Sequence, residues 1–138
     1  MIGLDTNVLA RYYIDDAGDA QAKRQRLAAR RLIESGQALM VSKTVVLELE
    51  WVMRGYYGFS QTEVASVMQH MLGLTHVKVE DRAVVEQALA NSHDGVDFAD
   101  ALHHASYKAC ASVATFDDRK FARRAKKLGM APTVTVLT

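Results

Sequence analysis

The sequence predicts an α/β fold in which short strands alternate with longer helices. Two observations predict it. Five short apolar runs have the length of strands, and the stretches between them carry helical periodicity and helix-start residues. Chains that alternate in this way typically form a parallel sheet with helices on both faces. With 138 residues, of which 49% are hydrophobic, the chain can bury one core, so we expect a single domain over residues 1–138.

The individual elements follow from local patterns along the chain. The predicted strands are residues 2–4, 38–41, 76–79, 112–115 and 134–137. Ser60 and Glu63 have the spacing of a capping box, which starts a helix. Other expected helix-start residues are Ser42, Asp81 and Asp97. Gly36 and Gly129 stand where helices are expected to end.

The overall charge and the cysteine content exclude several classes of protein. A net charge of +1 does not indicate either the presence or the absence of nucleic-acid binding. The single cysteine excludes an internal disulfide and a cysteine-based zinc cage. No apolar stretch approaches the ~20 residues of a membrane span, and the N-terminal segment lacks the form of a signal peptide. We therefore expect a cytoplasmic protein with no membrane partner.

Two basic clusters and several aromatic residues are candidate surfaces for nucleic acid. The clusters are Lys23, Arg24, Arg26, Arg30 and Arg31, then Lys120, Arg123, Arg124, Lys126 and Lys127. They form either basic patches or ordinary solvated helix faces. The aromatic residues are Tyr12, Tyr13, Trp51, Tyr56 and Tyr57. For these rings, packing in the core or at an interface is favoured over base stacking.

Acidic residues in or beside apolar runs are the most informative feature of the chain. Asp5 ends the first predicted strand, and Asp117 and Asp118 follow the fourth. Glu48 lies on the helix after the second strand, and Asp100 lies in the first turn of the helix that leads to the fourth. Ligands of open parallel sheets bind beyond the carboxyl ends of the strands, so we expect these acids to share a pocket.

Each acid also has a structural explanation. The helix that carries Glu48 is apolar nearly all round, which predicts that Glu48 is held away from bulk water and that Glu50 is not. The alternative is that Glu48 lies on a narrow wet stripe. Asp97, one turn before Asp100, is explained almost as well as an N-cap. The acids after the fourth strand are also compatible with a simple turn.

Carboxylates that meet in one pocket repel one another, and this repulsion raises their pKa values unless a cation neutralises them. Ligand sets made of oxygen alone select Mg²⁺ or Mn²⁺ over zinc. Such a site suits metal-assisted attack of water on a phosphodiester. No P-loop, dinucleotide-binding, nucleophile-elbow or zinc-protease motif offers a different chemistry.

Four segments, each carrying one or more of these acids, form an ordered set of motifs. They are residues 2–9, 42–53, 97–103 and 114–121. Together they resemble the PIN-domain family of metal-dependent ribonucleases, and within it the VapC-type toxins of toxin–antitoxin pairs. The likeness runs almost from end to end. It implies a three-layer α/β/α sandwich with a central parallel sheet of about five strands in the order 3-2-1-4-5.

The resemblance assigns roles to individual residues. The acids around the metal are Asp5, Glu48, Asp100 and Asp117. Asp97 matches a further acid that is often present, and Asp118 is the alternative to Asp117. The residues that match hydrogen-bonding partners of the carboxylates are Thr6, Asn7 and Thr115. The implied cofactor is Mg²⁺, with Mn²⁺ as the alternative.

The resemblance also implies an activity and partners, namely an endoribonuclease toxin that cuts RNA, forms a homodimer and is silenced by a VapB-type antitoxin. Two other functions stay open. A PIN-like module that binds RNA or protein without cutting would use the basic helices, but it leaves the four acids unexplained. A phosphoacceptor domain of the receiver type is disfavoured, because the first strand ends in the single Asp5 and the third in Glu80 and Asp81.

Overall fold

The computed structural model describes residues 1–16 and 18–138. Its five short strands begin and end within one residue of the predicted ones. They are β1 (Ile2–Gly3), β2 (Leu39–Val41), β3 (Val77–Val79), β4 (Ser112–Thr115) and β5 (Thr133–Val136). Short apolar runs between turn signals were therefore a sufficient guide to the strands.

Seven α-helices lie between and beside these strands in the part of the chain that the structure describes. They are α1 (Thr6–Tyr13), α2 (Ala20–Ile33), α3 (Lys43–Trp51), α4 (Gln61–Leu72), α5 (Arg82–His93), α6 (Phe98–Ser106) and α7 (Arg123–Leu128). Two π-helical turns, Val52–Tyr56 and Asp118–Ala122, follow α3 and precede α7. None of the described helices is both long and apolar enough to cross a lipid bilayer.

Several predicted helix signals are confirmed. The Ser60 hydroxyl accepts a hydrogen bond from the N–H of Glu63, whose carboxylate accepts one from the N–H of Ser60, so the capping box is complete. The Ser42 hydroxyl caps α3 by accepting the N–H of Val45. Gly129 ends α7 with a φ of 62°, a left-handed conformation that favours glycine.

The strands pair in two parallel sheets. β2 lies between β1 and β3 in the first sheet, and β4 pairs with β5 in the second. The partial orders 3-2-1 and 4-5 are confirmed, but this pairing corrects the prediction of one five-stranded sheet. β1 is only two residues long, and the N–H groups of Ile2 and Leu4 both donate to carbonyls at β2. So short a strand offers few further backbone groups for a second ladder of hydrogen bonds.

The chain divides into two compact units, Met1–Arg82 and Ala83–Thr138. The first contains α1 to α4 and the three-stranded sheet, and the side chains of Leu39 and Leu49 within it are fully buried. The second contains α6, α7, the two-stranded sheet and all but the first residue of α5, and Val85 is fully buried there. The prediction of one domain over residues 1–138 stays a prediction.

Candidate functional site

Asp5 stands where the first strand turns into α1. Its backbone is extended, with a φ of −81° and a ψ of 160°, and its Oδ1 accepts the N–H of Thr6 at 2.8 Å. Aspartate is a favoured residue at this position because it satisfies a helix N–H that has no partner within the helix. The Asp5 side chain is otherwise exposed. A carboxylate is thus held at the end of β1 with one oxygen committed to the backbone.

Thr6 links this corner of the first unit to α3. The Thr6 residue is buried, and its hydroxyl donates a hydrogen bond to Oε1 of Glu48. A hydrogen bond to the ionised form of a carboxylate fixes the orientation of that carboxylate. The structure therefore places Asp5 next to the residue that holds Glu48.

The environments of Glu48 and Glu50 are the reverse of those predicted from the sequence. Glu48 is exposed, whereas Glu50 is only 4% exposed and is ion-paired with Arg54, whose Nε lies 2.8 Å from Oε1 of Glu50. The prediction that Glu48 is kept from water is wrong. Two features of the sequence indicate the burial of Glu50. It lies on the buried stripe of α3, and Arg54 follows it at the i,i+4 spacing of an ion pair.

Three of the remaining acids lie in the second unit, where two of them act electrostatically on the third. Asp97 occupies the N-cap position of α6, but its side chain makes no capping hydrogen bond, so the capping explanation accounts for its position and not for its carboxylate. Asp100 lies one turn later and is partly buried. Burial raises the pKa of Asp100, and the nearby carboxylates of Asp97 and Asp117 raise it further, against a smaller opposing effect of His103.

Asp117 and Asp118 differ in what their side chains do. Asp117 precedes the second π-helical turn, and its Oδ1 accepts the N–H of Lys120 at 2.9 Å. The hydroxyl of Thr115 accepts the N–H of Asp117 at 3.0 Å, so Thr115 positions the backbone of Asp117 and does not bond to its carboxylate. Asp118 begins the π-helical turn and is exposed. Of the two acids, it is Asp117 that acts electrostatically on Asp100.

The chemistry of these donors fits a hard divalent cation. Every candidate ligand is a carboxylate, and Asp100 is ionised at a cost that a neighbouring positive charge would remove. Over residues 1–16 and 18–138, no three His, Cys, Asp or Glu side chains form a ready ligand set. The grouping of all four acids around one metal therefore stays a prediction.

Asn7, which the resemblance makes a hydrogen-bonding partner of a carboxylate, lines a cavity of about 310 Å³ between α1 and α2.

Replacing Thr6 tests the hydrogen bond to Glu48. Thr6→Val keeps the buried volume but removes the donor, and we expect the ribonuclease activity that the resemblance implies to fall about 10- to 100-fold, the usual effect of losing a partner of a metal-binding side chain. Stability should change by less than about 1.5 kcal/mol, because the acceptor Glu48 is exposed to water. Rates on a labelled RNA and urea unfolding of both proteins measure the two effects. Thr6→Ser, which keeps the hydroxyl, should restore most of the rate, and full activity in Thr6→Val would contradict the assignment.

Comparison with known proteins gives one match. The family model described as PIN domain matches residues 2–127, which include every acid discussed above. No curated protein and no solved structure gave a significant match.

Proposed function

The chain belongs to the PIN domain family, and from this membership we propose that it is an Mg²⁺-dependent endoribonuclease that hydrolyses RNA phosphodiester bonds. PIN domains are generally nuclease modules and usually bind divalent metals. The match covers residues 2–127, which include all but the first residue of the first compact unit and most of the second.

The single observation that carries the proposal is the environment of Asp100. Three carboxylates interact in the second unit, and both burial and the two neighbours disfavour the ionised form of Asp100. A structural role does not require this arrangement, because Asp97 leaves its capping bond unmade. A cation would stabilise all three charges at once. Perturbed acids of this kind are typical of functional sites.

The residues that would hold the metal are Asp5, Glu48, Asp100 and Asp117, with Asp97 as a further candidate. A bound Mg²⁺ supplies a water of lowered pKa and stabilises the negative charge that develops on a phosphodiester. The Thr6 hydroxyl donates to Oε1 of Glu48, which leaves Oε2 available to a metal. The Asp5 Oδ1 that caps α1 likewise leaves Oδ2 for this purpose. Side chains fixed in this way lose little freedom when the substrate binds.

We further propose the biological setting that the resemblance implies. The nuclease would be the toxin of a VapBC-type pair, a homodimer in the cytoplasm that a VapB-type antitoxin silences. The motifs around Asp5, Glu48, Asp100 and Asp117 support this reading, in the order in which they occur along the chain. Co-expression with the product of a short open reading frame directly upstream, followed by purification of a complex, is the test. A chain that is equally harmless to cells with and without that product is not a toxin.

The nuclease activity is tested with the chain purified free of any antitoxin. Labelled structured RNA should be cut with Mg²⁺ or Mn²⁺ and left intact with EDTA. Asp5→Asn should be inactive yet folded, because asparagine is as good an N-cap as aspartate and can still accept the N–H of Thr6. Cleavage that persists in EDTA, or an undiminished cleavage rate in Asp5→Asn, would contradict the proposal.

A PIN-like module that binds RNA without cutting it is the second candidate. The observation that favours it is the exposure of basic side chains on α2, where Lys23, Arg24 and Arg31 all face solvent. Exposed cations attract the phosphate backbone in a salt-dependent manner without any catalysis. Tight, salt-sensitive binding to a broad panel of RNAs with no metal-dependent cleavage would support this candidate over the nuclease.

A further inference from the structure

Trp51 is a large apolar side chain that the fold leaves in water. It is the last residue of α3 and stands directly before the first π-helical turn. The residue is 59% exposed, whereas Leu49 and Met53 on the same segment are fully buried. It is also the only tryptophan of the chain. Single apolar side chains are common on protein surfaces, so the contacts of Trp51, and not its exposure alone, indicate a role.

Gly55 supports one face of the indole. A Cβ atom added at Gly55 would lie 3.4 Å from Cε2 and 3.5 Å from Nε1 of Trp51, so the ring lies flat over a stretch of backbone without a side chain. With this contact on one side, the residue is still more than half exposed. The π-helical turn that carries Gly55 and the indole packed against it thus form a flat platform.

The platform shares a helix face with a candidate catalytic acid. Trp51 follows Glu48 by three residues, which places their Cβ atoms about 5–6 Å apart on neighbouring positions of the α3 surface. Both residues are exposed, while the opposite face of α3 is buried. The spacing is comparable to the size of a ribose, the group that separates a base from its phosphate.

We propose that Trp51 stacks on an unpaired base of the RNA, next to the phosphodiester that is presented to Glu48. The inference rests on the proposed function, because it takes RNA as the substrate. Aromatic rings bind single-stranded RNA by stacking on bases that are not covered by neighbours, and they do so with little preference for sequence. Trp51 would therefore direct cleavage to unpaired segments, since the bases of a duplex present no free face to the ring.

The alternative occupants of this face are a protein partner and a second copy of the chain. A ring supported by glycine on one side offers a flat surface, and Glu48, exposed three residues before it on α3, is a proposed metal ligand. That combination matches a nucleotide, which carries a flat base and a phosphate on either side of one sugar. The other occupants are separate outcomes of the experiment below.

Fluorescence of Trp51 reports on stacking directly, because no other tryptophan contributes. The experiment uses the Asp5→Asn protein in EDTA, so that the RNA stays intact. A single-stranded RNA of mixed sequence should quench the emission in a saturable manner. The same sequence in a duplex should quench it much less, and inorganic polyphosphate, which has charge but no bases, should not quench it. Equal quenching by polyphosphate, or RNA binding without quenching, overturns the proposal.

Variants measure the contribution of the ring to affinity, with the anisotropy of a labelled single-stranded RNA as the readout. In the Asp5→Asn background, Trp51→Ala should weaken binding about 5- to 100-fold, the range expected for loss of one base–aromatic stack. Trp51→Phe, which keeps a smaller ring, should lie between. Leu137→Ala is the matched control, since Leu137 is 46% exposed directly after β5 and lies outside both basic clusters. Unchanged affinity in Trp51→Ala contradicts stacking, and an equal loss in Leu137→Ala shows a general effect of apolar surface.

Two further results separate the possible failures. If the indole is shielded from acrylamide before RNA is added, and more so as protein concentration rises, then a second copy covers it and the proposal is wrong. Saturable quenching by single-stranded RNA in a chain that never cuts RNA would remove the nuclease function and keep the stacking site. Metal-dependent cleavage with no quenching would keep the nuclease function and remove the stacking site.

Discussion

Glu48→Gln is expected to lower the rate of metal-dependent RNA cleavage at least about 100-fold without lowering stability. Loss of a residue that merely orients a metal ligand costs about 10- to 100-fold, so loss of a ligand's charge should cost at least the upper value. The substitution keeps an oxygen that accepts the hydrogen bond of the Thr6 hydroxyl, and the side chain is exposed. We therefore expect the free energy of unfolding to change little. Single-turnover cleavage of a labelled RNA and urea unfolding measure the two quantities.

Glu50→Gln is the matched control, and the opposite result is expected. Glu50 is buried against the guanidinium of Arg54, and removal of its charge weakens a hydrogen-bonded ion pair, at a cost of about 1.5–3 kcal/mol in the free energy of unfolding. The rate per folded molecule should stay close to that of the wild type. The two glutamates are two residues apart on one helix, so their substitutions separate catalysis from stability within a single element. If Glu50→Gln abolished cleavage while Glu48→Gln spared it, the assignment of Glu48 would be wrong.

The strands and helix starts could be predicted because they are local. A capping box is decided within four residues, as Ser60 and Glu63 show, and a short apolar run between turn signals is decided within about six. The positions of Asp5 and Asp117 at strand ends follow from the same local patterns. These features depend on hydrogen bonds and packing that neighbouring residues make with one another.

The pairing of the strands could not be predicted in the same way. β1 is only two residues long, and nothing in its sequence specifies how many neighbours it can support. Pairing is decided by contacts between residues far apart in sequence, which local propensity does not report. The order 3-2-1-4-5 came from a resemblance, and only its parts 3-2-1 and 4-5 appear among the described residues.

The burial of Glu50 was hidden by the composition of α3. Apolar residues surround the helix, so counting them does not reveal which face is inside. The buried side chains of this helix and the following turn are Val46, Leu49, Glu50 and Met53. They follow the i, i+3, i+4, i+7 spacing of a core-facing stripe. That stripe includes an acid because Arg54, one turn later, provides the pairing that a buried charge requires.

Asp100→Asn is the second substitution with a large expected effect, and it acts in opposite directions on activity and on stability. Cleavage should fall at least about 100-fold, for the reason given for Glu48. The metal-free protein should become more stable at neutral pH. Burial and the carboxylates of Asp97 and Asp117 raise the pKa of Asp100, so its ionised form costs the folded state free energy that asparagine does not.

The size of this effect on stability depends on pH. The penalty of ionised Asp100 is fully present above its raised pKa in the folded chain, and it disappears below the lower pKa of the unfolded chain, where both states are protonated. In EDTA, the Asn variant should therefore gain stability over the wild type as the pH rises from acid to neutral. The two unfolding curves should coincide at acid pH.

Addition of Mg²⁺ or Mn²⁺ should reverse the order of the two proteins. A ligand that binds only the folded state raises its stability in proportion to the logarithm of its concentration above Kd. The thermal midpoint of the wild type should rise with metal concentration, whereas that of Asp100→Asn should rise only at about 10- to 100-fold higher concentrations. Asp94→Asn, which removes an exposed acid of the same unit, is the control and should follow the wild type. If all three proteins responded alike to metal, Asp100 would be an acid that the fold tolerates and not one that a cation requires.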